Sequence, residues 1–130
     1  VDITADGGPP VAATATSVRA AFDPDGGFWD FVVLSRGDSE FIQAGHWWFM
    51  GRNTDTSYRH AAFDAATSGM PDPGGLREPE LYAVEFRDAA GLFGGHQVLQ
   101  RCDLLGVFLA YLDGGSGWRT GLSWEPVAAP

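Results

Sequence analysis

Lysine is absent from this 130-residue chain, cysteine occurs once, and basic residues are outnumbered 17 to 8 by acidic ones. A single cysteine, Cys102, cannot close an intrachain disulfide, which suits a reducing cytoplasm. No run of about 18 or more apolar residues occurs, so a membrane-spanning helix is excluded. The first ten residues, "VDITADGGPP", are acidic and polar where a signal peptide would be basic and then apolar. Cytoplasmic localisation is therefore expected. All the basic residues are arginine and the formal net charge is −9. Such a field repels phosphate backbones, so a nucleic-acid partner is not expected, and it attracts a basic protein surface. The same charge also keeps a small domain soluble.

Catalytic and metal-binding patterns are missing as well. His46, His60, His96 and Cys102 are the only nitrogen and sulfur ligands, and none stands at an HxxxH or CxxC spacing. No metal and no cofactor is expected. Cys102 precedes an apolar stripe and is expected to be buried, where a thiol is inert. There is no G-x-S-x-G elbow, and "DGGSG" follows a helical pattern where a phosphate loop would precede one. The sequence does not read as that of an enzyme.

What is present is a core's worth of side chains, 45% hydrophobic and 13% aromatic, in the length of one domain. Residues 1–14 carry adjacent prolines and paired glycines and are expected to form a flexible arm. Residues 15–130 then form a single domain. "TSVRAAFD" gives a short helix with Thr16 or Ser17 as cap. "FWDFVVLSRGDSEFIQAGHWWFM" gives two strands about a turn at "SRGDSE". Its Arg36-Gly37-Asp38 matches an adhesion tripeptide, but turn chemistry explains Gly and Asp there. Residues 51–79 are rich in chain breakers and are expected to form an irregular insertion, with a short helix at "YRHAAFDAA".

Beyond it, "PELYAVEFRDA" alternates cleanly, with Tyr82, Val84 and Phe86 on one face and Leu81, Ala83, Glu85 and Arg87 on the other. "LFGGHQVLQ" follows as a further strand. In "CDLLGVFLAYLDGG", apolar residues recur at helical spacing, with Asp103 as expected N-cap and Gly114 as a left-handed terminator. Trp118 falls just past the helix, and Trp124 lies in an extended segment stopped by Pro126. The expected fold is α+β: an antiparallel sheet of about four to five strands with a C-terminal helix on one face. Tyr82, Val84 and Phe86 are expected beneath Leu105, Phe108 and Leu112.

The densest aromatic stretch is "EFIQAGHWWFMGRN", residues 40–53. Adjacent strand residues point to opposite faces, so one of Trp47 and Trp48 is expected in the core and the other at a contact surface. With Arg52, Tyr58 and Arg59, the two tryptophans form the expected partner-binding set, because Trp, Tyr and Arg anchor protein interfaces. A small-molecule-binding domain or small enzyme, its pocket between the sheet and residues 51–79, is the competing reading.

The segments "LSRGDSEFIQAG", "LYAVEFRD" and "LLGVFLAYLDGGSGWRTGLSWE" resemble bacterial immunity proteins of the Imm1-like type. The likeness covers about residues 28–45 and 80–126; the N-terminal arm and the insertion depart from it. It implies an α+β protein without catalytic residues that binds and neutralises a cognate toxin. A basic toxin domain is the implied protein partner, and a homodimer is the other assembly open to the chain.

Overall fold

The computed structural model describes residues 1–28, 31–46, 82–95 and 99–126. In chain order they form β1 (Asp2–Ala5), β2 (Val11–Ala12), α1 (Ala15–Ala21), β3 (Phe31–Arg36) and β4 (Glu40–His46). Then come β5 (Tyr82–Asp88), β6 (Gly91–Gly95), α2 (Arg101–Leu112), α3 (Gly117–Thr120) and β7 (Trp124–Pro126). The strands make one sheet in the order β2-β1-β3-β4-β5-β6-β7, and every neighbouring pair is antiparallel. The fold is α+β, with more strands than the sequence pattern gives. The insertion at 51–79 and the helix at "YRHAAFDAA" lie outside the described residues.

Period-two patterning puts Val32, Leu34, Ile42, Ala44, Tyr82, Val84 and Phe86 on one face of the sheet, all buried. The register aligns them in rows: Val32 faces Ala44 and Ala44 faces Val84, while Leu34 faces Ile42 and Ile42 faces Phe86. Val18 of α1, Phe22 just past its end, and Leu104, Phe108 and Tyr111 of α2 join the same core. Each large apolar side chain so buried contributes about 1.5–3 kcal/mol. On the opposite face Gly45, Ala83, Glu85 and Gly94 are also withdrawn from solvent. There Gln43 donates from Nε2 to Glu85 Oε1 at 3.0 Å, and Glu85 is 3% exposed. This bond satisfies one of the carboxylate's oxygens out of water.

Several local expectations are corrected. Residues 1–14 are not a loose arm: β1 pairs along its length with β3, from Asp2 opposite Ser35 to Ala5 opposite Val32, and Ile3 is buried. A four-residue strand has too little pattern of its own to announce itself; its partner makes it a strand. The cap of α1 is Thr14, which accepts from the Ser17 amide at 3.1 Å, while the Thr14 amide donates to Ser17 Oγ at 2.8 Å. Asp103 is not the cap of α2. That helix starts earlier, with Gln100 at the N-cap position, and Asp103 sits in the first turn, where a negative charge suits the helix dipole.

Cys102 is exposed, not buried. Leu104, Phe108 and Tyr111 fix the inward side of α2, and a residue two positions before Leu104 projects about 200° away from it. The same rotation leaves Leu105 and Leu112 only partly buried beside the core. Gly37 and Gly114 behave as expected. Gly37 takes φ +75° in the β3–β4 turn, which accounts for the Arg-Gly-Asp sequence, and Gly114 takes φ +82° just past α2.

Candidate protein-binding groove

Helix α2 is apolar around most of its circumference. Leu104, Phe108 and Tyr111 enter the core, Leu105, Val107, Leu109 and Leu112 are partly buried against it, and Ala110 lies further round the helix. A helix apolar on nearly all sides is ordinarily covered on nearly all sides. Here the side bearing Val107 and Ala110 borders a groove of about 330 Å³ between α2 and α3, open to solvent. Leu99, Trp118 and Leu122 complete its apolar lining. Asp103 is the one charged side chain in the lining, and Gly106, Gly117 and Gly121 leave stretches of bare backbone.

Trp118 is fixed from behind. Its ring meets Phe86 edge-on at 5.0 Å, Tyr111 at 5.3 Å and Trp124 at 5.9 Å. Trp124 donates from Nε1 to the Arg119 carbonyl at 2.8 Å, which ties α3 to β7. The Arg119 side chain in turn reaches Asp88 at 3.2 Å and lies over the Phe86 ring at 4.8 Å. The exposed ion pair contributes little by itself, but with the ring contact it holds α3 against the β5–β6 turn. Across the helix, Arg36 donates to the Tyr111 carbonyl and stacks over its ring at 4.6 Å, a cation placed where the helix C-terminus favours one. Burial pushes the Tyr111 phenol above its ordinary value, with Arg36 pulling the other way, so the group stays neutral across the physiological range.

Gly106 stands apart from the other glycines. It lies in the middle of α2 in an ordinary helical conformation, and a Cβ built on it would meet nothing within 4 Å. Glycine there costs about 0.8–1.0 kcal/mol relative to alanine, and no neighbour within the described fold requires it.

The sequence-predicted partner-binding residues Trp47, Trp48, Arg52, Tyr58 and Arg59 all lie outside the described residues, as do His60 and His96. Among the described residues no group of three or more His, Cys, Asp or Glu is placed to hold a metal ion, and no helix is long and apolar enough to cross a membrane. The groove escapes a reading of sequence because Val107 and Ala110 look like two more core residues of an apolar helix. Its one signal was the glycine inside "DLLGVFLAYL". No protein-family model matches the chain, and no curated protein or solved structure matches it.

Proposed function

We propose that this protein is a small acidic binding module of the immunity type, which neutralises a cognate protein toxin in the cytoplasm and uses the α2–α3 groove as part of its contact surface. The observation that carries this reading is the groove's character: open, almost wholly apolar and backed by a braced tryptophan. Pockets that bind or transform small molecules enclose their ligand and converge several polar groups on it. Open apolar surface with a rigid aromatic belongs instead to protein contacts. The net charge of −9 favours a basic partner and speeds the encounter with it. The competing small-ligand reading draws on buried Glu85, whose hydrogen bond to Gln43 also has a plain structural role.

The test is co-expression with the product of the adjacent reading frame, scored by growth and by co-purification. Rescue of growth together with a stoichiometric complex is expected. A toxic neighbour that this protein neither binds nor restrains would refute the assignment.

A further inference from the structure

We infer that the α2–α3 groove receives an α-helix from the partner, one that carries basic residues and seats its backbone against Gly106. This rests on the binding-module reading above and specifies what is bound.

The chemistry of the lining selects a helix. The side chains of Leu99, Val107, Ala110, Trp118 and Leu122 offer almost nothing to hydrogen-bond, and outside α2 only the short backbone stretches at Gly117 and Gly121 could pair with an incoming chain. An extended peptide laid on them would bury unpaired amides and carbonyls, whereas a helix pairs its own. An incoming strand would seek a sheet edge, and this groove is walled by two helices. Helices approach closely only where a side chain at the contact is small. Gly106 supplies that site on the outward side of α2, at a cost from which the described fold gains nothing. The sign of the partner follows from charge complementarity. Asp103 is the only charged group in the lining, and it is exposed. Arg119, next to Trp118 in the chain, is engaged with Asp88 and the Phe86 ring. A Lys or Arg on the incoming helix would meet Asp103, setting orientation and on-rate more than affinity.

The experiment titrates the isotopically labelled full chain with two model amphipathic helices of about 15 residues, one built from Leu and Lys and the other from Leu and Glu. The basic peptide is expected to give saturable amide shifts centred on Gly106, Val107, Ala110 and Trp118, and the acidic peptide none. Gly106→Leu fills the groove with a better helix former, so it should weaken binding by about tenfold or more without lowering the melting temperature. Asp103→Lys should transfer the preference to the acidic peptide. Equal binding of both peptides, shifts centred elsewhere, or binding unchanged in Gly106→Leu would overturn the inference. So would a homodimer that Gly106→Leu dissociates, since the occupant would then be a second copy. Toxin neutralisation that survives Gly106→Leu removes this inference and leaves the binding-module reading standing. Failure of the wild-type protein to neutralise removes the reading itself.

Discussion

Phe108→Ala is expected to lower the free energy of unfolding by about 3–5 kcal/mol. Phe108 is fully buried and meets the Phe22 ring edge-on at 5.0 Å, so it links α1 to α2 over the sheet. Removing the ring deletes its transfer free energy and also leaves a cavity, because neighbours held by the sheet register on one side and by two helices on the other relax only in part. For a domain with about 5–15 kcal/mol in total, that is a large share. Leu105→Ala, at a half-buried position on the same helix, should cost clearly less. Urea melts of both variants decide the matter. A loss below about 1 kcal/mol for Phe108→Ala would mean that α2 is not docked on the core.

Arg101→Met is expected to cost about 3 kcal/mol, and Arg101→Lys nearly as much. The Arg101 guanidinium donates from Nη2 to the Phe28 carbonyl at 2.7 Å and from Nε to the Phe22 carbonyl at 3.1 Å. It also reaches the Tyr82 hydroxyl at 3.3 Å and lies 4.3 Å from the centre of the Phe28 ring. One planar fork thus fastens the first turn of α2 to the end of α1, the start of β5 and the segment leading into β3. Methionine keeps much of the packing but leaves two part-buried carbonyls without this donor. Lysine keeps the charge, yet a single ammonium cannot reproduce the spread of a guanidinium. Thermal melts of both variants are the measurement. If Arg101→Lys were as stable as wild type, charge alone would be doing what is attributed here to geometry.

The parts of the fold that were legible in the sequence are those whose pattern is local and repeated. Tyr82–Phe86 alternates over a whole strand, and the β3–β4 pair announces itself through apolar runs about a Gly-Asp turn. What was not legible depends on partners distant in sequence. β1 is a strand because β3 offers it a ladder, and nothing in "DITA" requires one. The exact rotation of α2 was lost for a related reason. With apolar residues on most sides, the spacing does not say whether Leu104 or Leu105 faces inward, and an apolar stripe next to Cys102 in sequence does not say that the thiol turns outward. The candidate groove stayed hidden by the same ambiguity, since an apolar residue at a groove's edge reads no differently in sequence from one inside the core. The expected site at Trp47 and Trp48 rests on residues outside those described.

The sheet order also carries a consequence for how the chain finds its structure. β3 with β4, and β5 with β6, are hairpins closed by short turns at residues 37–39 and 89–90, so each can assemble from local contacts within microseconds. The β4–β5 ladder must instead bring together segments separated by residues 47–81. Closing that span costs chain entropy before any long-range contact rewards it, and this seam is therefore expected to set the folding rate. Ala44→Gly, which weakens that ladder from its middle, is therefore expected to slow the refolding arm of a chevron plot, and an unchanged refolding arm would overturn this. In kinetic terms β4–β5 is a slow suture between two quick hairpins.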